Sequence, residues 1–272
     1  MTYTTGPPLE GVSLIIIERE VVISDSIYGL GCLRASRVDT LEYMKITTLN
    51  IQEFTNWEAR QPAIIDYLRT EAPDVIVFQE VVFLPNISAY NQVQLINQEL
   101  GYEYEQSVVT RLQASMVHET YREGLAAISR YPIIKSDTII LKQAVGDEHN
   151  RIVQMLDLEV EGRIVKIANV HFSITDVTDF ASAHLQETLD ILKMRAEERI
   201  IVGDFNLSDL EILSHMWSDT YRCSDEQDYI SFPGLNKRID YFLIPKSYAF
   251  NSISTSGDSL SDHRAVTADI NL

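Results

Sequence analysis

The sequence predicts an α/β fold in which two sheets pack face to face and helices cover their outer sides. Roughly ten segments have the length and composition of strands, and helical segments are interspersed among them. Several strand segments are apolar almost throughout, which is typical of strands buried on both faces. Two packed sheets with helices outside provide a covering layer on each side of such strands.

The first elements alternate between strand and helix. Ile46–Ile51 has the β-rich composition of a short strand. A helix is predicted next, with Pro62 in its first turn, where a missing N–H donor is tolerated. It ends before Asp74–Gln79, a near-continuous apolar run that indicates a buried strand. Asn91–Leu100 then predicts a second helix, which Gly101 ends.

The remaining elements follow from Leu125–Ser129, another strand segment. Ile152–Val160 and Arg163–Val170 both alternate, and the Glu161-Gly162 pair between them suits a tight hairpin turn. Thr178–Glu197 predicts a helix because its apolar residues recur at helical spacing. Three further strands complete the pattern: Ile200–Val202, Ile239–Ile244 and Ala265–Leu272.

Residues 1–43 differ from the rest of the chain. They contain a loop signal at Gly6-Pro7-Pro8 and short strand patterns at Val12–Ile17 and Val21–Ile23. We interpret them as an N-terminal extension, disordered or loosely docked, or as a start assigned too early, since Met44 directly precedes a strong strand. Residues 44–272 are then the catalytic domain, and removal of the extension is expected to leave turnover intact.

The charge of the chain limits its function. With 22 Lys+Arg and 40 Asp+Glu residues, the formal net charge is −18. An acidic chain does not attract a polyanion from a distance, which excludes a tight, non-specific nucleic-acid binder. The charge is compatible with an enzyme that meets phosphate through a bound cation.

Cysteine content and hydropathy indicate the compartment. Cys32 and Cys223 are too few for a disulfide framework, so we expect two free thiols, and no cysteine spacing suits a structural zinc. No stretch approaches the roughly 20 apolar residues of a membrane-spanning helix. No Lys or Arg precedes the first apolar run, as it would in a signal peptide. A cytoplasmic location is expected.

Polar side chains recur at the ends of the strand segments, where an apolar core has no use for them. Phosphodiesters resist hydrolysis because their negative charge repels nucleophiles, so an enzyme neutralises that charge and activates a water. Mg²⁺ prefers oxygen ligands, and one or two carboxylates hold it. Any one such residue alone is better read as a cap or turn residue. The full set is Asn50, Gln79, Glu80, Glu123, His171, Asp204, Asn206, Asp240, Asp262 and His263.

Six segments that carry these residues resemble, in content and in order, the endonuclease/exonuclease/phosphatase superfamily. The similarity extends from about Lys45 to Leu272 and includes GDFN followed by SDH, a specific pair of motifs. It implies the four-layer αββα sandwich of the deoxyribonuclease I-like fold, with two mixed sheets, and a metal-dependent phosphoester hydrolase. The segments are VIVFQE (75–80), EGLAAISRYPI (123–133), NVHF (169–172), GDFN (203–206), KRIDYFLI (237–244) and SDHRAV (261–266).

The resemblance implies a metal site and a water site. Glu80 is the expected principal Mg²⁺ ligand, with Asn50 and Asp262 nearby, directly or through water, and Mn²⁺ is an expected substitute. Asp204 resembles the residue that orients or deprotonates the attacking water. Asn206 would hold that water and a phosphoryl oxygen of the substrate.

The resemblance also implies two histidines with carboxylate partners. His263 resembles the histidine that faces the scissile phosphate, and Asp240 its partner, which fixes the tautomer. Whether this histidine is a base or a charged stabiliser stays open. His171 resembles the second histidine of the deoxyribonuclease-like branch, a candidate acid for the leaving oxygen, with Glu123 as its partner.

Local differences from the motifs of abasic-site nucleases indicate the branch of the family. Abasic-site nucleases usually carry a tyrosine at the position of His171, and the residues that follow Asn50 and Glu80 also differ from their motifs. The Gln-Glu-Val stretch and GDFNLSD instead resemble tyrosyl-DNA phosphodiesterase 2-like members and general bacterial-type members.

Several other side chains have two interpretations. Arg151 either contacts the substrate phosphate or is a surface arginine on a hairpin, and the sequence favours the two interpretations about equally. Trp57, Tyr90 and Tyr229 are aromatic residues that suit base stacking, but packing is the preferred interpretation. Substrate choice is expected to depend on four loops: Phe83–Ala89, Thr110–Thr120, Gln143–Asn150 and Thr175–Phe180.

The first functional hypothesis is Mg²⁺-dependent hydrolysis of a phosphodiester, with nucleic acid or a nucleotide derivative as substrate and a metal-assisted water as nucleophile. The alternative is a phosphatase or phosphodiesterase acting on a small molecule such as a lipid head group, phosphosugar or nucleotide, which the −18 charge favours. A steep fall of affinity with salt distinguishes a polymer substrate. A catalytically silent binding module ranks last, because the motif residues are intact. Exo or endo cleavage, metal number and oligomeric state stay open.

Overall fold

The computed structural model describes residues 12–17, 20–25, 43–83, 88–114, 119–174 and 179–272. The chain divides into two compact units, Met1–Thr40 and Leu41–Leu272. In the first unit, strands β1 (Val12–Ile17) and β2 (Glu20–Asp25) form an antiparallel hairpin. The two short strands expected there are present, whereas Gly6-Pro7-Pro8 and Cys32 lie outside the described residues.

The second unit contains two mixed six-stranded sheets, each with one parallel pair among antiparallel ones. In spatial order, the first sheet consists of β13 (Ala249–Thr255), β14 (Val266–Asn271), β3 (Tyr43–Asn50), β4 (Val75–Phe83), β6 (Tyr121–Ser129) and β5 (Tyr104–Gln113). The second consists of β11 (Tyr221–Cys223), β12 (Asp240–Pro245), β10 (Ile200–Asp204), β9 (Arg163–His171), β8 (Ile152–Val160) and β7 (Ile133–Ile140).

Helices cover the outer sides of both sheets. The described helices are α1 (Trp57–Glu71), α2 (Gln92–Leu100), α3 (Asp179–Met194) and the single turn α4 (Ser214–Trp217). Leu68 of α1 and Ile96 of α2 pack on the first sheet, and Leu185 of α3 packs on the second. A separate apolar cluster that includes Val77 and Val202 fills the space between the sheets. This arrangement confirms the four-layer αββα sandwich.

The turn and cap residues behave as their chemistry predicts. Asn91 caps α2 by accepting a hydrogen bond from the backbone N–H of Gln94, and Gly101 ends the helix with φ 75°. Glu161 and Gly162 both have positive φ, which gives the β8–β9 hairpin the two left-handed residues that a type I′ turn requires.

Three expectations from the sequence are corrected. Pro62 lies in the second turn of α1, because the helix begins five residues earlier, at Trp57. Glu123 lies inside β6 rather than before it. The four strands absent from the sequence prediction, β5, β7, β11 and β13, are the four edge strands of the two sheets. Edge strands are half-exposed and lack the continuous apolar run that identifies central strands. Among the described residues, no helix has the length and apolar character needed to cross a bilayer.

A close approach of two strands fixes the position of Glu123. Its neighbour Gly124 lies in β6, and a Cβ atom there would stand 1.9 Å from the backbone carbonyl oxygen of Val108 on β5. Only glycine therefore allows β5 and β6 to pair in this register.

We predict that Gly124→Ala lowers the free energy of unfolding by about 3 kcal/mol, because the added methyl group forces the two backbones apart. Gly257→Ala is the matched control, since a Cβ atom at Gly257 meets nothing within 4 Å. Its effect is expected to stay within about 0.5 kcal/mol. Urea denaturation measures both variants. Equal stabilities for the two would contradict the close approach.

Candidate active site

Strand register brings three of the expected site residues into one row of the second sheet. Asp204 at the end of β10 pairs with His171 on β9 and with Asp240 on β12. All three are buried. Side chains on neighbouring strands at the same register point to the same face of the sheet. The histidine and the two carboxylates of this row therefore project from one face, next to one another.

Asn50 connects this row to the first sheet. It ends β3, and its side-chain amide donates to the Glu80 carboxylate at 3.1 Å and to Asp204 Oδ2 at 3.0 Å. Its own amide oxygen accepts from the backbone N–H of Gln52. A single buried amide therefore holds two carboxylates from different sheets next to each other.

Glu80 occupies a bulge of β4. The pairing of β4 with β6 shifts register between Phe78 and Val81, and Glu80 has φ 55°. The bulge directs the side chain into the cleft, where it is 26% exposed and therefore accessible to a ligand. Removal from water, together with the nearby Glu123 carboxylate, raises the pKa of Glu80 to about 7.

Asp204 is the most connected carboxylate of the site. Besides the bond from Asn50, its Oδ1 accepts from the backbone N–H of Asn206, and its Oδ2 lies 3.5 Å from His171 Nε2 and 3.8 Å from His263 Nε2. Burial and the neighbouring Asp240 raise the pKa of Asp204 to about 6. This value places the carboxylate close to the range in which a general base works at neutral pH.

His263 and Asp240 form a buried pair. Asp240 Oδ2 lies 2.9 Å from His263 Nδ1, which directs Nε2 towards Asp204. Burial lowers the pKa of His263, but the Asp240 and Asp204 carboxylates outweigh this effect and raise it to about 10. The ring is therefore charged at neutral pH in the absence of a ligand.

The hydrogen-bond partner of His171 differs from the expectation. Its Nδ1 lies 3.0 Å from Nη1 of Arg151, which is 3% exposed, so Arg151 is not a surface residue. A guanidinium group only donates, so Nδ1 must accept and the ring proton is on Nε2. Burial and the Arg151 charge lower the pKa of His171 well below its ordinary range.

Glu123 interacts with arginines and has no direct bond to His171. Arg111 Nε donates to it at 2.7 Å, and Arg151 Nη1 lies 3.8 Å away. The expected Glu123–His171 pair is thus corrected to a chain in which Arg151 stands between them. Arg111 was not predicted from the sequence, because it lies on an edge strand outside every recognisable motif.

Asn206 and Asp262 take different positions in the site. Asn206 has φ 52°, and its side-chain amide donates to the Phe172 carbonyl, which places it beside Asp204. Asp262 is exposed and accepts from the Ser261 hydroxyl. Its charge raises the pKa of His263, but no hydrogen bond or ion pair joins Asp262 to Asn50 or Glu80. Within the expected substrate loops, positions 84–87, 115–118 and 175–178 lie outside the described residues.

Buried polar side chains between the two sheets hold the segments that carry the site. The Gln79 side chain donates to Asn169 at 2.8 Å, and Asn169 donates to Gln154 at 3.0 Å and to the Phe78 carbonyl across the sheet interface. Arg60 donates to three backbone carbonyls, those of Thr55, Gln52 and Leu260. These contacts fix the segments that follow Asn50 and precede Asp262. The sequence signal for Gln79, Gln154 and Asn169 is a polar residue inside an apolar strand, whereas Arg60 lies in α1 and gives no such signal.

The donor set fits a hard divalent cation. Glu80 and Asp204 lie on the two sides of one amide, and neither has a lysine or arginine within ion-pair distance. Burial is the main cause of their raised pKa values, and a neighbouring carboxylate adds to it in each case, so a bound divalent cation would favour the ionised form of both groups. Asp204, Asp240 and His263 also present ligand atoms within 4.8 Å of one another, but Nδ1 of His263 is engaged by Asp240, and Mg²⁺ prefers oxygen ligands to a histidine nitrogen.

Comparisons with known proteins identify the family and agree with the fold. The model of the Endonuclease/Exonuclease/phosphatase family matches residues 47–263. A Beutenbergia cavernae endonuclease/exonuclease/phosphatase is 20% identical with a TM-score of 0.71, covering 85% of this chain and 72% of that one. The human Nocturnin catalytic domain is 20% identical with a TM-score of 0.66, covering 84% and 94%. D. rerio TDP2 in complex with a single-strand DNA product is 17% identical with a TM-score of 0.66, covering 85% and 99%. No curated protein matches the sequence.

The raised carboxyl pKa values predict how stability depends on pH. Between about pH 4 and pH 7 the folded protein retains protons on Glu80 and Asp204 that the unfolded chain has released, so stability falls as pH rises through this window. A divalent cation bound by these carboxylates would compensate the charge that appears. We expect Mg²⁺ to raise Tm more at about pH 8 than at about pH 5, where both groups hold protons.

Thermal denaturation with and without Mg²⁺ measures this difference. Glu80→Gln is the test variant and is expected to remove most of the pH-dependent gain. Asp66→Asn, at a carboxylate whose side chain is 76% exposed, is the matched control and should retain it. An equal Mg²⁺ effect at both pH values in the unmodified protein would be the contradicting outcome.

Proposed function

Because this chain belongs to the endonuclease/exonuclease/phosphatase family, we propose that it hydrolyses phosphodiesters with Mg²⁺, and that its substrate is nucleic acid or a nucleotide derivative. Family membership identifies it as a phosphoester hydrolase. The observation that carries the more specific proposal is the convergence on Asp204 Oδ2, which lies 3.0 Å from the Asn50 amide, 3.5 Å from His171 and 3.8 Å from His263.

The proposed metal site lies to one side of Asp204 Oδ2, the atom on which these contacts converge. Glu80 is proposed as the principal ligand, with Asn50 and Asp262 contributing directly or through water. Mg²⁺ bound there would neutralise phosphate charge and lower the pKa of an attacking water. The partial exposure of Glu80, and the absence of a lysine or arginine within ion-pair distance of Glu80 and Asp204, support this placement.

Asp204 is proposed to orient and deprotonate the attacking water. Its pKa near 6 leaves it ionised yet basic enough to accept a proton at neutral pH. Asn206 is proposed to hold the same water and a phosphoryl oxygen, since its backbone N–H already fixes the Asp204 carboxylate.

His263 is proposed as a charged donor to the phosphoryl oxygens. Its pKa of about 10 keeps the ring protonated at neutral pH, and the bond to Asp240 fixes the orientation of the ring. A protonated imidazole cannot accept the proton of the water, which favours Asp204 over His263 as the base. The negative charge that develops on the phosphate in the transition state is then met by a fixed positive group.

His171 is proposed as a neutral hydrogen-bond donor. Because Arg151 occupies Nδ1, the only ring proton is on Nε2, and loss of that proton would leave an imidazolate. The side chain therefore binds an oxygen of the phosphate or of the leaving group without transferring a proton to it. This role replaces the general acid that the family resemblance implies for His171.

The substrate class is supported from two sides. D. rerio TDP2, which shares the fold, is described with a single-strand DNA product, and this favours a nucleic-acid phosphodiester. The −18 net charge favours a small diester over a long polyanion and keeps a small-molecule phosphodiesterase as the second candidate. A silent binding module is disfavoured, because the expected catalytic side chains lie in one cleft.

We predict that Asp204→Asn and His263→Ala each reduce kcat on a phosphodiester by about 10²–10⁴-fold, the usual contribution of a catalytic acid–base group. Asp66→Asn and His215→Ala, both at exposed positions, are the matched controls and should retain turnover. EDTA should abolish activity, and Mg²⁺ or Mn²⁺ should restore it. Bis-p-nitrophenyl phosphate hydrolysis gives the rates, and full activity in either site variant would refute the assignment.

A further inference from the structure

A groove of about 480 Å³ lies between the segment after β3, the end of β4 and the start of α2. This is within the roughly 300–1,000 Å³ range of small-molecule sites. Its apolar wall consists of Phe54, Trp57, Ala59, Val82 and Leu95, with Tyr90 beside them, and Asn56, Glu58, Ser88 and Gln92 are its polar side chains.

The groove is built by the chain segments that carry two proposed metal ligands. Phe54 follows Asn50 by four residues, and Val82 follows Glu80 by two. The Gln92 side chain joins these segments, since it donates to the Glu53 carbonyl at 2.6 Å and accepts from the Val82 N–H at 2.8 Å. Because these segments are continuous with the stretches that carry Asn50 and Glu80, a substituent of a phosphate bound at Glu80 is expected to reach the groove.

The lining of the groove selects against a charged group. Of the described residues that line it, only Glu58 is charged, and none is lysine or arginine. A second phosphate would meet an acidic side chain and no counter-charge. Two of the polar groups are already engaged, Gln92 at both ends of its amide and Ser88 by the Tyr90 N–H. The groove thus offers apolar and aromatic surface with few free polar atoms.

The aromatic side chains offer surface for a planar ring. Tyr90 is 49% exposed, so part of its side chain is accessible to a ligand, and Trp57 is half-buried against the α1 side of the core. Bases stack on such rings with little dependence on their identity. Tyr229, by contrast, is engaged, since its hydroxyl contacts Ser224 and donates to the Asp240 carbonyl. Of the three aromatic residues singled out from the sequence, two line the groove.

We infer that this groove binds the base of the nucleoside attached to the scissile phosphate, and that Trp57 and Tyr90 are specificity-determining residues. The inference rests on the proposed phosphodiesterase activity and narrows its substrate class to nucleoside phosphodiesters. It separates them from phosphosugars and lipid head groups, which carry no planar ring for this surface.

Two diesters with the same leaving group test the inference. They are thymidine 5′-(p-nitrophenyl phosphate) and methyl p-nitrophenyl phosphate, which share the leaving group and differ in the alcohol that the phosphate retains, a nucleoside in one and methanol in the other. We expect kcat/KM to be higher for the thymidine ester. Tyr90→Ala and Trp57→Leu should each reduce this preference by roughly ten-fold, in line with the measured value of one base stack.

Tyr43→Ala is the matched control, since Tyr43 is 56% exposed and does not line the groove. It should retain the preference for the thymidine ester. Equal loss on both esters in the groove variants, or no change in the preference, would overturn the inference. Both groove substitutions are checked for folding by thermal denaturation, and Tyr90 is exposed enough to be replaced safely.

A binding measurement distinguishes failure of the groove from failure of the proposed function. The chain has two tryptophans, and Trp217 is buried at 7% exposure, so stacking in the groove should change the fluorescence of Trp57. Thymidine is expected to quench the unmodified protein and to quench Tyr90→Ala more weakly. If neither diester is hydrolysed, the activity proposal fails while quenching still supports the groove. No quenching by thymidine would overturn the groove itself.

Discussion

The site depends on one buried amide that bridges two sheets. Asn50 ends a strand of the first sheet and donates both to Glu80 on that sheet and to Asp204 on the second. Two neighbouring carboxylates repel each other when both are ionised, so the Asn50 amide and the surrounding fold are needed to hold Glu80 and Asp204 together. The polar layer of Gln79 and Asn169 beneath them fixes the same interface. The packing of the two sheets therefore determines the geometry of the site.

The cleft brings acidic and basic groups close together. Glu80 and Asp204 have no lysine or arginine within ion-pair distance, and burial raises their pKa values. Arg151 and Arg111 enclose Glu123, and Arg151 also fixes the ring of His171, which lies 3.5 Å from Asp204. A cation is expected at the carboxylates, and the fixed donors beside them are expected to bind an anionic phosphate. This arrangement explains how a chain with a net charge of −18 presents a site for a phosphoester.

The sequence predicted central strands and strand-end side chains well, because buried strands and polar residues beside them leave a clear pattern. It failed at the four edge strands, since half-exposed segments such as Tyr104–Gln113 carry no continuous apolar run. It also missed Arg111, because a contact between β5 and β6 depends on register, which bulges in both pairings of β6 change. The sequence left open whether Arg151 is buried, for a related reason. The burial of a residue next to a hairpin strand depends on the sheet packed against it, which the sequence of its own strand does not show.

The most direct test of the central claim is the position of a bound metal. Crystals soaked in Mn²⁺ give an anomalous scattering peak that marks the ion independently of any assumption about the ligands. We predict one strong peak bonded to the Glu80 carboxylate on the Asn50 side of the cleft. A peak held by Asp240 and His263 without Glu80, or no peak in the cleft at saturating Mn²⁺, would contradict the proposed site.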